Sequence, residues 1–211
     1  MSEVRLRDEM ARLCRSLFER GFSVGSAGNV SARVGDGLLI TPTNSCLGFL
    51  DPARISKLDS NGHHAGGDPP SKEIFLHRAF YDSRPSVGAV VHLHSTFATA
   101  WSCLTDIDPE DCLPPLTPYA VMRVGRVRLI PYTRPGDPRT GELIRALEGR
   151  HAAVLLAHHG PVVTAGNLRS AVYAAEELEE TARLLVTLRG MPTRMLGAEQ
   201  VDELTRVFSA P

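Results

Sequence analysis

Two histidines separated by a single residue are the strongest chemical signal in this sequence of 211 residues. His92 and His94 end the run Ala-Val-Val-His-Leu-His, whose composition is typical of a β-strand. Side chains alternate between the two faces of a strand, so positions 92 and 94 point to the same side. Two imidazoles spaced in this way can bind a metal ion, although two surface histidines at a strand end would give the same pattern.

A second pair of histidines could supply a third ligand. His158 and His159 precede Gly160, at the turn between two predicted apolar strands at 152–157 and 161–164. A histidine in such a turn can reach the end of a neighbouring strand, whereas a solvated loop is the plain alternative. Three neutral histidines with one open position are the pattern of catalytic rather than structural zinc sites. Together with the first pair, this turn favours a metal site.

Two further segments carry groups that could bind an anion. Ser71 is predicted to cap a helix, whose free N–H groups and dipole would attract negative charge, and Lys72 adds a full positive charge. Glu73 follows, where an ordinary capping carboxylate is equally expected. The small and hydroxyl residues of 25–31 and 41–45 could wrap a phosphate, although such clusters usually form turns. They match neither a Walker loop nor a dinucleotide-binding fingerprint.

Composition excludes several classes of protein. The chain is 43% hydrophobic and 22% charged, which argues against a disordered chain, a coiled coil and a collagen-like repeat. The net charge of −1 argues against a general nucleic-acid partner, and no apolar run approaches the roughly 18 residues of a membrane span. The first 21 residues form a charged amphipathic stretch without the apolar segment of a secretory signal, and four scattered cysteines fit a reducing compartment. We therefore expect a cytoplasmic protein in which Cys14 is a buried small hydrophobe.

The spacing of apolar residues and turn signals predicts alternating helices and strands. The predicted helices cover Leu6 to Gly21, 71–81, 95–104, 139–147, 167–189 and 198–207. The predicted strands cover 29–34, 38–41, 55–58, 87–94, 126–131, 152–157 and 161–164. The segment 66–70 is expected to be a turn. This order predicts one α/β domain over residues 1–211, with strands too hairpin-like for a doubly wound parallel sheet.

Five motifs together resemble the class II aldolase/adducin-like family. They are Gly28-Asn29-Val30-Ser31, Thr41-Pro42-Thr43, Ser71-Lys72-Glu73, His92-Leu93-His94 and His158-His159-Gly160, and they occur in the order and spacing of that family. The resemblance extends from about Arg5 to Arg194. It implies an α/β fold of three layers, αβα, around a mostly antiparallel central sheet. It also implies a homotetramer with zinc sites near the subunit interfaces.

The resemblance assigns roles to individual residues. It implies that His92, His94 and His159 bind zinc, and that Glu73 is the catalytic acid/base and can also touch the metal. The implied phosphate-binding residues are Gly28, Asn29, Thr43, Asn44, Ser71 and Lys72, and Tyr119 matches an active-site tyrosine. His158 is expected to be a packed histidine beside the ligands.

Two departures from the sugar-phosphate aldolases of the family concern the phosphate site. Those aldolases commonly read Thr-Gly where this chain has Thr43-Asn44, and Ser-Ser-Glu where it has Ser71-Lys72-Glu73. Lys72 would place a cation beside the phosphate, which favours a more anionic substrate. Arg123, Arg126 and Arg134 could bind a substrate carboxylate, or form exposed salt bridges instead.

The resemblance also indicates an activity. Glu73 separates the chain from the pentulose-phosphate epimerases, which carry Asp at this position, and the segments 113–119, 132–138 and 176–182 are most similar to a branch that decarboxylates 3-oxo-tetronate 4-phosphate. The implied reaction uses zinc as the Lewis acid for an enediolate, which Glu73 protonates to give dihydroxyacetone phosphate. A fuculose-phosphate type aldolase and a methylthioribulose-phosphate type dehydratase are the alternatives. An adducin-like interaction domain without catalysis is disfavoured by the complete set of histidines.

Overall fold

A single mixed sheet with helices around it makes up the part of the chain that the computed structural model describes, residues 2–208. The α-helices are α1 (Glu3–Glu19), α2 (Ile74–Ser83), α3 (Thr96–Ser102), α4 (Pro118–Arg123), α5 (Arg139–Arg145), α6 (Leu168–Thr187) and α7 (Ala198–Phe208). The strands are β1 (Asn29–Val34), β2 (Gly37–Ile40), β3 (Ser56–Leu58), β4 (His64–Gly66), β5 (Ala89–His92), β6 (Val127–Ile130), β7 (Ala153–Leu156) and β8 (Gly160–Ala165). Short 3-10 turns cover Leu47–Phe49 and Pro52–Arg54.

The strand order explains why distant motifs can meet. The sheet runs β4-β3-β2-β1-β5-β8-β7-β6, so β5 lies between β1 and β8. Asn29 pairs with His92 across β1 and β5, and His92 pairs with Val162 across β5 and β8. The pair β6 and β7 is parallel and the other strand pairs described are antiparallel. The prediction of a mostly antiparallel sheet is therefore confirmed.

Side-chain alternation divides the core between the two faces of the sheet. Val91 and Leu93 belong to the larger cluster, which packs under α1, α3 and α6. Val90 belongs to the smaller cluster, which includes Leu76 and Phe80 of α2 and Ile144 of α5. Helices thus cover both faces, which confirms the three-layer αβα prediction. His92, two positions from Val90, faces the side of α2.

The two long helices form as their sequences predict. The apolar stripe of α1, which includes Met10 and Leu17, is buried against the sheet, and Cys14 is a buried small hydrophobe as expected. Asn167 caps α6, because its Oδ1 accepts a hydrogen bond from the N–H of Ser170 at 2.9 Å.

Some local predictions are wrong. Ser71 does not cap α2, which begins only at Ile74 with Glu73 in the cap position, because an antiparallel bridge between Pro42 and Pro70 keeps the preceding chain extended. The strand β5 is shorter than 87–94. The edge strand β4, which ends at Gly66 where the predicted turn begins, was not predicted. Nor was α4, although Thr117-Pro118 is an ordinary helix start.

None of the helices within residues 2–208 combines the length and the apolar character that a membrane crossing requires.

Candidate metal centre

Three imidazole nitrogens converge at one edge of the sheet. The Nε2 atoms of His92 and His94 lie 3.2 Å apart, and those of His94 and His159 lie 2.9 Å apart. The carboxylate of Glu73 faces them, with Oε2 3.5 Å from Nε2 of His92 and Oε1 3.7 Å from Nε2 of His159. All four potential ligand atoms lie within 4.8 Å of one another. The structure therefore brings together the four residues that were predicted to contact a metal.

The donor set fits a divalent metal ion. Two nitrogens on a tetrahedral zinc ion are separated by about 3.3 Å when each Zn–N bond is about 2.05 Å, close to the spacing of these imidazoles. The Nδ1–H of His92 donates to the carbonyl oxygen of Pro161 at 2.9 Å. This hydrogen bond fixes the tautomer of neutral His92 and leaves the lone pair of Nε2 free for a metal.

The backbone around Gly160 delivers the third histidine. Gly160 has a φ of +146°, and a Cβ at this position would lie 2.2 Å from the carbonyl oxygen of Leu93. Only a glycine lets β8 begin so close to the end of β5. This close approach places His159, the residue before Gly160, against His94. His158 is exposed rather than packed, and its ring meets the ring of Tyr132 at 6.0 Å instead of the cluster. His159 is thus the histidine of this pair that the structure places in the cluster.

Burial sets the protonation of the cluster. Loss of solvent lowers the pKa of His92 to about 3 and lowers the pKa values of His94 and His159, so the imidazoles are neutral and able to bind a metal at neutral pH. Burial opposes ionisation of Glu73, but the facing histidines and a hydrogen bond from Asn29 outweigh it and lower the pKa of this carboxyl. The result is an anionic carboxylate beside neutral nitrogen ligands.

The two predicted anion-binding segments lie against each other. Besides the bridge between Pro42 and Pro70, the N–H of Thr43 donates to the carbonyl of Pro69, and the N–H of Ser71 donates to the carbonyl of Thr41. The Oγ of Ser71 accepts a hydrogen bond from the N–H of Glu73 at 3.3 Å. Ser71 therefore contacts Glu73 directly, and Thr43 is held against the same loop through Pro69.

The structure shows the surroundings of Asn44 and Lys72, the two residues that depart from the aldolase motifs. Asn44 is exposed and adopts a left-handed φ of +55°, a conformation that glycine takes freely and that asparagine tolerates better than most residues. The asparagine thus preserves the turn that a glycine would form. Lys72 is exposed and forms no ion pair with another residue in the described part of the chain, which leaves its charge available to a ligand.

Gly28 permits a close approach between two strands. It has a φ of +81°, and a Cβ there would lie 2.8 Å from the carbonyl oxygen of His92. The backbone that it approaches in the structure is therefore that of β5. The next residue, Asn29, is buried, and its Nδ2 donates to Oε2 of Glu73 at 2.8 Å.

Tyr119 is at the surface of the protein. It occupies α4 with 55% of its surface exposed, and the guanidinium of Arg123 lies 5.8 Å from the centre of its ring. Within residues 2–208, no hydrogen bond joins Tyr119 to Glu73 or to the three histidines. Of the arginines considered for a substrate carboxylate, Arg126 forms a salt bridge with Asp111 at 3.1 Å.

Sequence reasoning missed the buried partners of Glu73. His77 is fully buried and hydrogen-bonds both Asn29 and Ser31, and Ser31 also contacts the hydroxyl of Tyr81. The spacing of these residues in the sequence could have indicated the cluster. Glu73, His77 and Tyr81 recur every four residues, as one helix face does, while Asn29 and Ser31 alternate as one strand face does.

Comparison with known proteins identifies the family. Residues 8–186 match the class II aldolase and adducin N-terminal domain. The chain belongs to the class II aldolase and adducin family. Its relatives include proteins named as decarboxylases and as aldolases, and both kinds of enzyme are lyases. The chain is a lyase of this family.

The relatives of this chain are similar to it in length. The chain is 52% identical over 205 residues to 3-oxo-tetronate 4-phosphate decarboxylase of Pectobacterium atrosepticum, which covers 97% of this chain and 94% of that protein. It is 33% identical to L-fuculose phosphate aldolase of Escherichia coli over 99% of this chain and 96% of the aldolase. Among solved structures, YgbL of Klebsiella pneumoniae superimposes with a TM-score of 0.94 and 51% identity, over 97% of this chain and 99% of YgbL.

Proposed function

We propose that this protein is a zinc-dependent decarboxylase that converts 3-oxo-tetronate 4-phosphate into dihydroxyacetone phosphate and CO2, in the catabolism of four-carbon acid sugars. The observation that carries the proposal is the 52% identity, over almost the whole chain, to a relative with this decarboxylase name. The converging histidines and the ionised carboxylate of Glu73 supply the chemical groups that such a reaction needs.

The metal would be held by His92, His94 and His159, whose Nε2 atoms converge. When bound, zinc would act as a Lewis acid that stabilises the negative charge left on the substrate as CO2 departs. The natural metal is proposed as zinc because three histidines with an open position are a catalytic zinc pattern.

Glu73 is proposed as the group that transfers the proton. Its carboxylate lies within 3.7 Å of the Nε2 atoms of His92 and His159, so it would border a substrate bound to a metal held by these histidines. A side chain placed in this way contributes typically about 10²–10⁴-fold to the rate. Tyr119 is proposed to complete the site as a second catalytic residue, and its exposure on α4 is compatible with a site closed by another subunit.

The phosphate is proposed to bind at Gly28, Asn29, Thr43, Asn44, Ser71 and Lys72. The Pro42–Pro70 bridge supports this assignment, because it joins the two loops that carry most of these residues. The charge of Lys72 would favour a substrate with two anionic ends, a phosphate and a carboxylate. Binding energy from the phosphate would hold the reacting end in place.

The proposal extends to assembly and location. We propose one domain over residues 1–211, since one sheet includes every strand of the described part. We also propose a homotetramer in the cytoplasm. Support for assembly comes from α7, in which no described side chain is buried, and from the exposed rings of Tyr119 and Tyr132.

Aldol cleavage of a sugar phosphate is the second candidate. The 33% identity to L-fuculose phosphate aldolase favours it, since the same group of ligands can serve either reaction. The two reactions differ in the group that leaves the substrate, CO2 or an aldehyde. Substrate tests therefore separate them directly.

A coupled assay tests the proposal. Zinc-loaded protein is given 3-oxo-tetronate 4-phosphate generated in place by a kinase, and CO2 and dihydroxyacetone phosphate are recorded together. A blank without enzyme is required because 3-oxo acids lose CO2 unaided. We expect equal, enzyme-dependent formation of both products. A rate no higher than the blank, with zinc bound, would exclude the decarboxylase and favour the aldolase.

A further inference from the structure

A chain of hydrogen bonds runs from the interior of the protein to the carboxylate of Glu73. Tyr81 and Ser31 meet at 2.9 Å between their hydroxyl oxygens, and the Oγ of Ser31 lies 2.7 Å from Nδ1 of His77. The Nε2 of His77 lies 2.5 Å from Oδ1 of Asn29, and Nδ2 of Asn29 lies 2.8 Å from Oε2 of Glu73. Five side chains are therefore linked without a break.

The direction of each hydrogen bond follows from its acceptor. Oδ1 of Asn29 is a carbonyl oxygen and can only accept, so Nε2 of His77 carries the hydrogen. In neutral His77 the Nδ1 must then accept, and the hydroxyl of Ser31 donates to it. Tyr81 in turn donates to Ser31. Every donor in the chain points towards Glu73, so the last donor, the amide of Asn29, presents its hydrogens to the carboxylate.

The surroundings enforce this arrangement. His77 and Ser31 have no exposed surface, and Asn29 and Tyr81 are buried as well. Burial lowers the pKa of His77 to about 3, which keeps the ring neutral with a single N–H. A buried donor or acceptor without a partner is costly, so reversing one amide or one tautomer would leave two like groups facing each other. The chain therefore resists reversal at any single link.

We infer that His77 is a positioning residue for the reaction: by donating Nε2–H to Oδ1 of Asn29, it turns the Asn29 amide so that Nδ2–H holds Oε2 of Glu73 beside the histidines. This inference rests on the proposed catalytic role of Glu73. His77 has no hydrogen bond to Glu73 in the described part of the chain, and it acts on the carboxylate only through Asn29. The carboxylate thereby keeps one oxygen fixed by Asn29, while Oε1 faces His159.

Two substitutions of similar size separate positioning from packing. In His77→Gln, the side-chain Nε2 reaches the place of the imidazole Nε2 and can still donate to Asn29. In His77→Asn, the amide ends at the place of Nδ1 and can still accept from Ser31, but it cannot reach Asn29. Both variants lose the ring, so both should melt at lower temperature. Only His77→Asn loses the donor on which the inference depends.

The measurements are kcat, KM, bound zinc and melting temperature for the wild type and both variants. We expect His77→Asn to lower kcat, by up to the order of 10²-fold that a misplaced catalytic group can cost, and to raise KM as well, because Asn29 is also proposed to bind the phosphate. His77→Gln should retain most of the turnover despite a similar loss of melting temperature. Equal losses of kcat in the two variants, or no loss in either, would overturn the positioning role.

Tyr81→Phe is the control at the far end of the chain. Within residues 2–208 the Tyr81 hydroxyl has a side-chain hydrogen bond with Ser31 alone, and Ser31 can still donate to His77 once that hydroxyl is removed. We expect a lower melting temperature and an unchanged kcat. A loss of kcat equal to that of His77→Asn would mean that the whole buried cluster acts as a structural support, and it would overturn the specific role of His77.

A readout independent of activity separates this inference from the proposed function. Nuclear magnetic resonance of protein with 15N-labelled histidine reports which nitrogen of His77 carries the hydrogen. The wild type should show Nε2–H and an unprotonated Nδ1, whether or not the decarboxylase assay succeeds. Hydrogen on Nδ1 instead would overturn the inference. An inactive wild type with the expected tautomer would refute only the proposed function.

Discussion

The carboxylate of Glu179 accepts a hydrogen bond from the backbone N–H of Ala98 at 2.8 Å, with its other oxygen on the N–H of Phe97 at 2.8 Å. Glu179 lies in the middle of α6, and only 6% of its surface is exposed. The two N–H groups belong to the first turn of α3, just after His94. A buried anion on one helix therefore satisfies the beginning of the helix that follows a metal-facing histidine.

Replacing this anion should destabilise the fold. Glu179→Gln keeps the size of the side chain but turns an NH2 group towards one of the two N–H donors. Because a hydrogen bond to a charged group contributes about 1.5–3 kcal/mol, we expect the free energy of unfolding to fall by a similar amount. Urea unfolding measures it. Glu180→Gln is the control, since Glu180 forms a solvent-exposed salt bridge with Arg183 and its replacement should change the free energy of unfolding little. Equal losses in both variants would contradict the buried-anion explanation.

Glu73 should be required for turnover but not for metal binding. In Glu73→Gln the amide matches the carboxylate in shape and cannot accept or release the proton at the working pH. We expect kcat to fall by about 10²–10⁴-fold, the range that a positioned acid or base supplies. Zinc content, measured by elemental analysis of the same sample, should stay near that of the wild type. Turnover close to normal would remove Glu73 from the mechanism.

Adjacent histidines provide a matched test of the metal centre. His159→Ala removes one of three converging nitrogens, whereas His158→Ala removes an exposed ring outside the cluster. We expect zinc stoichiometry after dialysis to drop sharply in the first variant and to remain unchanged in the second. Loss of zinc in His158→Ala alone would reverse the assignment. Zinc bound to neither the wild type nor the variants would argue against a metalloenzyme.

The charge of Lys72 should act on substrate binding. Lys72→Ser restores the Ser-Ser-Glu motif of the family's aldolases, and we expect KM for the phosphorylated substrate to rise several-fold with little change in kcat. Lys72→Arg keeps the charge and should preserve KM. The difference between the Ser and Arg variants should shrink as salt is added, because Lys72 is exposed to solvent. An unchanged KM in Lys72→Ser would place the lysine outside the phosphate site.

Acid should destabilise the metal-free protein through His77. The pKa of His77 is about 3 in the fold and about 6.5 in an unfolded chain. Between these values only the unfolded chain binds the proton. The contribution of neutral His77 to the free energy of unfolding is therefore fully present above pH 6.5, and it is lost as the pH falls towards 3. The expected slope is up to about 1.4 kcal/mol per pH unit from this residue. Unfolding of wild type and His77→Gln between pH 7.5 and pH 5 should give a shallower slope for the variant. Coincident slopes would show that His77 titrates normally.

The candidate metal ligands could be predicted from sequence because their signals are local. His92 and His94 share a strand face by their spacing alone, and the turn ending at Gly160 identifies where a third histidine can join them. The choice of His159 over His158 required the family motif. In the structure, the backbone at Gly160 makes that choice, since it directs residue 159 towards β5 and leaves residue 158 exposed.

The missed features depend on contacts between distant segments. Ser71 has the composition of a helix cap, but the bridge from Pro70 to Pro42 pulls the chain into an extended path that no local signal contains. His77 stands among apolar residues of α2, where a lone histidine suggests only a core position. Its partner Asn29 lies 48 residues earlier in the sequence, and their contact depends on how α2 packs on β1.

The strand order has a consequence for folding during synthesis. His94 and His159 are separated by 65 residues, and β8, which begins beside His159, pairs with β5 only after the chain has returned from β6 and β7. Contacts of such long range form late, because the loop must close before they contribute. A chain still emerging from the ribosome presents His92 and His94 without their third partner. A metal ion that needs all three histidines could therefore bind only once the sheet is complete.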